Sequence, residues 1–366
     1  MWIWKQTDWP NFTWDEKIIV PLLRQVQLNQ GILLGKMQTQ DNHDLSIELN
    51  TLLANILHSS AIEGEQLNAF SVRSSLANKL GVSEEQAYQT SKQSDGVAEI
   101  MVDVVHNLSA PLTTERIFQW HSWLFPEGVT HFTQVNVGGL RGSLPMQVVS
   151  GRLDRPTVHF EAPPRDILES ELALFIDWFN RSKDDPLLDP LLRAAICHLW
   201  FVTLHPLDDG NGRITRALTD LALAQGEPLA VRFYAMSVSI LKNRKEYYEI
   251  LEQSQKGTLD ITVWLIWFLN TLEKAFFIAL DDIEQVILKT RFWKTHNAVN
   301  LNDVQRKVLN RLLDGDFLLG ISASQYQKVT KVSRASATRH LAFLVEVSCL
   351  KKTAGGGRNT RYVINS

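Results

Sequence analysis

The 366-residue sequence predicts a mainly α-helical protein with one β-hairpin and a small separate domain at its C-terminal end. Apolar residues recur at three- and four-residue spacing along most of the chain, which is the period of one helix face. Clear strand signals are confined to one pair of short extended runs that flank a polar turn. The charge also changes sign: residues 301–366 carry 11 Lys/Arg and 4 Asp/Glu, whereas the whole sequence has a net charge of -3. These patterns, like the length, favour two or three domains.

The composition is typical of a soluble globular protein, with 45% hydrophobic and 21% charged residues. The two cysteines, Cys197 and Cys349, match no metal-binding or redox spacing, which favours a reducing compartment. The N-terminus lacks the basic start and apolar core of a signal peptide. The apolar stretches 191–204 and 263–280 contain charged or polar residues, so we expect buried helices rather than membrane spans. We therefore expect a cytoplasmic protein with no membrane partner.

Residues 1–105 are predicted to form an N-terminal helical region. Apolar residues between Ile47 and Leu57 follow helical spacing and predict an amphipathic helix over about residues 47–63. Four tryptophans precede this helix, and we expect them to anchor the N-terminal arm onto the helical body. A ligand-stacking surface is the alternative for these tryptophans, which are Trp2, Trp4, Trp9 and Trp14.

Residues 106–290 are predicted to form the central domain. Two extended runs between residues 146 and 160 flank a polar turn and predict the β-hairpin. Residues 187–204 are almost entirely apolar and predict a buried central helix. Another helix is predicted over residues 212–225, because Gly226 is a typical helix end.

Residues 296–366 predict three helices, at about 302–313, 322–329 and 333–345, followed by two short strands around a glycine turn. This order resembles a winged helix-turn-helix, in which the third helix reads DNA. Basic residues lie on that helix and in the wing: Arg334, Arg339, His340, Lys351, Lys352, Arg358 and Arg361. DNA is therefore one expected partner, and a basic surface without a partner is the alternative.

The segment from His205 to Arg216 concentrates residues suited to phosphate chemistry. Pro206 disfavours helix at His205, so the apolar helix ends there and presents an imidazole. The following glycines let the backbone approach a ligand, and the next helix offers free N–H groups to an anion. Arg213 and Arg216 share one face of that helix, while Asp209 adds a carboxylate suited to a hydrated Mg²⁺. The combination predicts transfer chemistry on a nucleotide; an ordinary turn with an Asp209–Arg213 ion pair is the alternative.

These residues resemble the Fic family, whose signature is His-Pro-Phe-x-Asp/Glu-Gly-Asn-Gly-Arg-x-x-Arg. The match is complete except that Leu207 replaces Phe, and the resemblance covers roughly residues 50–275. It implies a Fic-type helical bundle that transfers AMP from ATP to a Ser, Thr or Tyr hydroxyl of a target protein. It also implies that His205 is the general base and that Asp209 holds Mg²⁺.

The resemblance assigns the ATP site as well. Asn211 and the glycine amides would hold the α-phosphate, Arg213 the β-phosphate and Arg216 the γ-phosphate. The complete loop set is Asp209, Gly210, Asn211, Gly212, Arg213, Ile214, Thr215 and Arg216. The hairpin resembles the family's flap, which aligns a target segment by main-chain pairing. Further residues expected beside the nucleotide are Val158, His159, Phe160, Glu161, Tyr247 and Gln255, with core packing as the alternative for Tyr247.

Residues 59–64, Ser-Ser-Ala-Ile-Glu-Gly, resemble the inhibitory motif Ser/Thr-x-x-x-Glu-Gly/Asn of many Fic proteins. Glu63 ends its helix, where a carboxylate faces the negative end of the helix dipole at a cost of up to about 1 kcal/mol. It therefore needs a cation, and the resemblance implies Arg216. An Arg216 so paired cannot hold the γ-phosphate, which predicts an autoinhibited enzyme. A solvated helix end is the alternative for Glu63.

Two other functions remain open at this stage. Some Fic proteins remove AMP, with a glutamate such as Glu63 orienting water. A DNA-binding regulator with a nucleotide-sensing body is the alternative from another functional class. The expected substrate and cofactor are ATP and Mg²⁺, the expected partner is a hydroxyl-bearing protein, self-modification is included, and a homodimer stays open.

Overall fold

The computed structural model describes residues 1–38, 45–83, 88–128, 134–152, 155–228, 232–317, 319–353 and 360–365. The chain forms two compact units, Met1–Ala279 and Leu280–Ser366. The division falls earlier than the predicted boundary at residues 290–296. A long helix spans this boundary. Only its first half belongs to the first unit, where residues such as Trp264 and Phe276 are buried. The predicted boundary after residue 105 lies within the first unit.

The first unit is built mainly from helices, with the hairpin inserted between the fifth and sixth of them. The helices are α1 Glu16–Gln38, α2 Leu45–Ile62, α3 Ala69–Leu80, α4 Lys92–His106, α5 Thr114–Leu124, α6 Arg165–Arg181, α7 Pro190–Leu204, α8 Asn211–Gly226, α9 Met236–Lys242, α10 Arg244–Gln255 and the first part of α11 Thr262–Thr295, which continues past Ala279. Short 3-10 turns lie at Ile3–Lys5 and Ser182–Asp184. The mainly α-helical class predicted from the sequence is confirmed.

Helix α7 is the centre of the first unit. Every residue from Leu191 to Leu204 is buried, as the unbroken apolar run predicts. The helix starts three residues later than predicted, because Asp189 caps it and Pro190 occupies its first turn. The Asp189 carboxylate accepts a hydrogen bond from the backbone N–H of Leu191 at 2.8 Å. Helix α8 packs along α7, so the loop between them is held from both sides.

Helix α2 packs against α8 and carries the predicted inhibitory motif at its C-terminal end. Leu49, Leu52 and Ile56 are buried on its inner face. A buried polar contact joins the two helices, because the Asn55 amide donates to the Asp220 carboxylate at 2.6 Å. The contact places the end of α2 beside the start of α8.

The N-terminal tryptophans anchor the arm that precedes α1. The Trp4 indole donates to the carbonyl of Glu161 at 2.8 Å. The Trp9 indole donates to the Glu171 carboxylate at 2.8 Å, and its ring packs edge-on against Trp200. These contacts confirm the anchoring role predicted for Trp4 and Trp9.

The hairpin consists of β1 Gln147–Arg152 and β2 Arg155–Glu161, which pair antiparallel. The register shifts between Val148 and Val149, which is a β-bulge. The predicted hairpin is therefore present, although residues 153–154 of its turn lie outside the described residues.

The second unit follows the predicted order of three helices and two strands. Its elements are α12 Asp303–Leu313, α13 Ala323–Thr330, α14 Arg334–Glu346, β3 Leu350–Lys352 and β4 Tyr362–Ile364. The side chains of Asn302, Ser322 and Ser333 cap the three helices. The strands pair antiparallel, and the predicted glycine turn 355–357 with Arg358 lies outside the described residues.

Two basic residues that the sequence placed toward DNA are used inside the second unit. The His340 imidazole lies 3.0 Å from the Tyr326 hydroxyl, which itself is buried. The Arg361 guanidinium donates to the carbonyl of Gly320 and to the Gln325 side chain. Both side chains thus have polar partners within the unit, and their contact with DNA stays a prediction.

By length and apolar composition, α11 is the one helix of the described residues that could cross a membrane. Within its most apolar stretch, 56% of the residues are buried in the protein. Residues such as Leu265, Phe268 and Leu272 are fully buried, as expected for the predicted buried helix.

Candidate active site

His205 ends α7 in a left-handed backbone conformation, with φ 48° and ψ 55°. Pro206 disfavours the helical region at His205, which explains why α7 stops there. Such a conformation costs a residue other than glycine about 1–3 kcal/mol and needs support from its surroundings. Arg141 provides that support: its Nε donates to the His205 carbonyl at 2.8 Å and its backbone N–H to the Pro206 carbonyl at 2.9 Å. The guanidinium also donates to the Pro163 carbonyl.

The His205 imidazole is oriented and kept neutral by its surroundings. Its Nδ1 lies 3.3 Å from the Val202 carbonyl, so the proton belongs on Nδ1 and Nε2 is free to accept another. Burial lowers the pKa of His205; the Val202 carbonyl opposes this, Arg141 adds to it, and Glu63 and Asp209 oppose it in part. The net pKa lies below its usual value, so the imidazole is neutral at neutral pH and can accept a proton.

The loop after His205 is braced by its own polar side chains. The Asn211 amide donates to the Leu207 carbonyl at 2.8 Å and accepts from the Leu207 N–H at 3.0 Å. Leu207 is fully buried, so it packs the loop although it replaces the family's Phe. Asp208, which the sequence did not single out, accepts from the backbone N–H groups of Asn136 and Gly142 at 2.9 and 3.2 Å. The Asn211 side chain is thus engaged with Leu207, so only the backbone N–H of Asn211 could make the predicted contact with the α-phosphate.

Two glycines shape the site where the loop enters α8. Gly210 has φ +78°, and a Cβ there would lie 2.7 Å from the Leu124 side chain. A Cβ on Gly212 would lie 2.0 Å from Oε1 of Glu63. The Glu63 carboxylate therefore occupies the start of α8, where free N–H groups and the helix dipole favour an anion.

The ion pair predicted between Glu63 and Arg216 is present. Arg216 Nη2 lies 2.8 Å from Oε1 of Glu63, and the Arg216 side chain is only 3% exposed. Ser59 holds the same guanidinium through its hydroxyl and its carbonyl, and the Tyr248 hydroxyl donates to Glu63 at 3.2 Å. Burial raises the pKa of Glu63, but Arg216, Arg213 and Tyr248 together lower it below its usual value. Glu63 is therefore an ionised carboxylate on Arg216.

Arg213 is engaged by a second carboxylate that the sequence did not predict. Its Nη1 donates to Glu65, and its Nη2 lies 3.7 Å from the Asp209 carboxylate. Its guanidinium also lies 5.0 Å from the ring centre of Phe125. Both arginines that would hold ATP phosphates are thus paired with acidic residues from the segment after α2.

Asp209 has a position that fits a magnesium ligand. Its side chain is 49% exposed, whereas that of Arg213 is 10% exposed. Mg²⁺ bound to a nucleotide keeps several waters and needs only one or two carboxylates. The described residues contain no group of three or more His, Cys, Asp or Glu that could form an all-protein metal site. Asp209 fits the role of a single carboxylate on a nucleotide-bound ion.

Four residues predicted beside the nucleotide have buried side chains. Ile214 and Thr215 are fully buried on the inner face of α8. Tyr247 is 1% exposed and its hydroxyl lies 2.9 Å from His198 Nε2, which agrees with its alternative, core packing. Gln255 is also buried and donates to a threonine hydroxyl of α7. Helical periodicity alone does not show which face of each helix points inward.

The flap residues divide in the same way. Phe160 is buried and packs edge-on against Trp2, and its position beside the nucleotide stays a prediction. His159 Nδ1 lies 2.7 Å from the Glu252 carboxylate on α10, so the flap is tied to that helix. The partly exposed members of the predicted set are Val158, His159 and Glu161.

Residues 111–223 match the family model described as the Fic/DOC family, and this range contains the whole loop from His205 to Arg216. These residues form a Fic domain. Residues 2–82 match a second model, described as a domain of unknown function (DUF4172). Glu63 and Glu65 thus come from the segment that precedes the Fic domain.

Two curated relatives show the range of activities that proteins with a similar Fic domain are named for. A protein adenylyltransferase Fic of Nematostella vectensis is 28% identical over 210 residues, which are 56% of this chain and 43% of that protein. A uridine 5'-monophosphate transferase of Xanthomonas campestris pv. campestris is 31% identical over 118 residues, which are 31% of this chain and 21% of that protein. The chain spans less than half the length of these relatives.

Solved structures agree on the fold. A Fic family protein from Desulfovibrio desulfuricans G20 has a TM-score of 0.53 at 20% identity, covering 94% of this chain and 96% of its own. A Fic domain containing signaling protein from Bacteroides thetaiotaomicron has a TM-score of 0.52 at 19% identity, covering 72% of this chain and 97% of its own. The Fic domain therefore has the fold of solved Fic proteins.

Proposed function

We propose that this protein transfers AMP from ATP to a Ser, Thr or Tyr hydroxyl of a target protein and of itself. The observation that carries the proposal is His205, whose Nδ1 faces the Val202 carbonyl and leaves Nε2 to accept a proton, in the same loop that leads into the anion-binding start of α8. A base and a phosphate cradle in one loop are what nucleotidyl transfer to a hydroxyl requires. The adenylyltransferase names of relatives that match the Fic domain support the same activity.

The reaction would proceed by in-line displacement at the α-phosphorus. The target hydroxyl would attack this phosphorus while its proton passes to Nε2 of His205. The bond from the α-phosphorus to the oxygen bridging the β-phosphate breaks, and pyrophosphate leaves. Backbone N–H groups at the start of α8 would stabilise the charge that builds up on the α-phosphate oxygens. Mg²⁺, held by Asp209, would neutralise phosphate charge.

In the described arrangement the enzyme would be inhibited. Glu63 occupies Arg216 and the start of α8, which are the positions proposed for the γ-phosphate and its neighbours. ATP could then bind only with its phosphates displaced from the line of attack. Removal of Glu63 should let the ATP phosphates take the in-line position in the same site.

Glu63→Gly tests the proposal. The variant should transfer AMP about tenfold faster or more, because a charge-assisted pair worth about 1.5–3 kcal/mol no longer holds Arg216. The assay uses α-labelled ATP with a cell lysate and with the protein alone. His205→Ala in the Glu63→Gly background should lose about 10²–10⁴ in rate and still bind ATP.

The outcomes separate the parts of the proposal. Equal transfer by wild type and Glu63→Gly would refute the inhibition and leave the His205 chemistry standing. Transfer that survives His205→Ala would remove His205 from the mechanism. Labelled UTP runs in parallel because one relative is named a uridine 5'-monophosphate transferase. Release of AMP from pre-modified protein by wild type, but not by Glu63→Gln, would instead favour AMP removal.

DNA binding is a second candidate function, and it concerns the second unit alone. Arg334, Thr338 and Arg339 are exposed on one side of α14, and Lys351 and Lys352 are exposed on β3. In a winged helix these two elements face DNA. We therefore retain duplex DNA as a proposed partner of this unit.

A further inference from the structure

Glu65 forms an ion pair with Arg213 that the inhibitory motif does not include. The Arg213 side chain is 10% exposed and that of Glu65 is 21% exposed, so water screens the pair only in part. Gln93 on α4 donates to the other Glu65 oxygen and fixes the carboxylate. The contact is therefore built by three elements rather than made by two flexible surface side chains.

The backbone after α2 aims both glutamates at α8. Gly64 has φ +85°, which reverses the chain directly after Glu63. The N–H groups of Glu63 and Glu65 both donate to the Ser60 carbonyl, at 3.1 and 3.0 Å. Two carboxylates separated by one glycine thus meet two arginines that lie one turn apart on α8.

We propose that Glu65 occupies the β-phosphate position at Arg213 and so sets the preference of the site among nucleoside mono-, di- and triphosphates. The inference rests on the proposed function, which gives Arg213 the β-phosphate. A nucleotide with a β-phosphate must displace Glu65 from Arg213, whereas a monophosphate needs only the start of α8. Glu63 acts on a different nucleotide position, because it holds Arg216 and therefore opposes a γ-phosphate.

The two glutamates should then affect different ligands. Releasing Arg213 should strengthen binding of every nucleotide that has a β-phosphate, including ADP. Releasing Arg216 by removal of Glu63 should strengthen binding of triphosphates most, and it also frees the start of α8 for the α-phosphate of any nucleotide. AMP should not respond to the release of Arg213, apart from the charge that this change removes.

The test is calorimetric titration of the full chain with AMP, with ADP and with a non-hydrolysable ATP analogue, each in Mg²⁺ buffer. Glu65→Gln keeps the shape of the side chain and removes its charge. ADP should bind about tenfold more tightly to this variant than to wild type, since a partly buried charge-assisted contact no longer competes. AMP affinity should change less than about twofold.

Two controls define the outcome. Glu99→Gln removes a partly exposed carboxylate paired with Lys79 outside the site, and it should leave all three affinities unchanged. Arg213→Ala should abolish the gain in ADP affinity from Glu65→Gln in the double variant. Equal ADP affinity in wild type and Glu65→Gln, or an equal gain for AMP, overturns the proposal. Because binding is measured without turnover, absence of AMP transfer would refute the proposed function and leave this inference testable.

Discussion

His205 combines a strained backbone with a neutral side chain, and both follow from its position at the end of a buried helix. The helix delivers the imidazole into partly dry surroundings, and Arg141 holds the carbonyl that the left-handed conformation turns outward. Burial lowers the pKa of His205 because a dry site disfavours the imidazolium. His205 therefore stays neutral, and able to accept a proton, down to a lower pH than a free imidazole does.

This range is measurable as a pH profile. His205 acts only when neutral, so transfer should be lost as pH falls through its pKa, and that pKa lies below the ordinary value near 6.5. The Glu63→Gly variant suits the measurement, since kcat/KM reports the free enzyme. Glu63 raises the pKa of His205, so its removal moves the acidic limb further down. An acidic limb at or above pH 6.5 would contradict this assignment.

Arg141 and Asp208 show what a residue-by-residue reading of the sequence misses. Arg141 donates to a carbonyl 64 residues further along the chain, and Asp208 accepts from a backbone N–H 72 residues before it. Neither has a local motif, because both act by fastening the loop before the hairpin to the catalytic loop. A buried arginine beside two backbone carbonyls becomes visible only when the chain is folded.

At the scale of elements, the contact between α2 and α8 includes a buried carboxylate. Asp220 lies one turn after Arg216 on α8 and accepts from Asn55 on α2. Burial raises the pKa of Asp220 to about 7, although Asn55 and Arg216 both lower it in part. The contact that joins α2 to α8 therefore titrates near neutral pH.

Asp220→Asn should stabilise the protein at high pH. Between the unfolded value near 3.9 and about pH 7, the folded state holds the extra proton, so the free energy of unfolding falls as pH rises. The asparagine side chain still accepts a hydrogen bond from Asn55, but it does not titrate. The variant therefore avoids the fall in the free energy of unfolding, which amounts to about 2–4 kcal/mol at pH 8. Urea unfolding at pH 5 and pH 8 measures the difference.

The matched control for this experiment is Asp177→Asn, since Asp177 is 56% exposed and pairs with Arg181 on the surface. Its stability should follow wild type at both pH values, as expected for a surface pair. If Asp220→Asn also follows wild type at pH 8, Asp220 is ionised there at no cost and the predicted titration is wrong.

At the scale of the whole molecule, two units with separate cores divide the proposed functions. The Fic domain and both glutamates lie in Met1–Ala279. The exposed basic residues of α14 and β3 lie in Leu280–Ser366, which has its own core around residues such as Leu309, Tyr326 and Leu341. AMP transfer and DNA binding should therefore be separable by truncation.

A chain ending at residue 295 keeps the whole of α11 and should retain AMP transfer in the Glu63→Gly background. It should lose any affinity for duplex DNA. The full chain should bind DNA more tightly at about 50 mM than at about 200 mM salt, because phosphate contacts release counterions. If the full-length protein shows no salt-dependent binding, DNA is excluded as a partner. The charge-reversed variant Arg339→Glu serves as the matched control and should bind DNA more weakly than wild type.

The sequence by itself determined whatever depends on neighbours within a few positions. Helix periodicity, the proline after His205, the glycines of the loop and the spacing of Arg213 and Arg216 act over one or two turns. They were sufficient for the helical class, the hairpin, the catalytic loop and the order of elements in the second unit. The sequence also predicted the pairing of Glu63 with Arg216, but only through its resemblance to a family motif.

Only the tertiary structure decided which side chains meet across long stretches of chain. Glu65 reaches Arg213 over 148 residues, and no local pattern marks it as different from a solvated glutamate. Of the adjacent tyrosines, Tyr247 turns into the core and Tyr248 reaches Glu63, because the packing of α10 fixes its inner face. Periodicity shows that a helix has two faces, whereas the direction of each face depends on neighbouring elements that the local sequence does not specify.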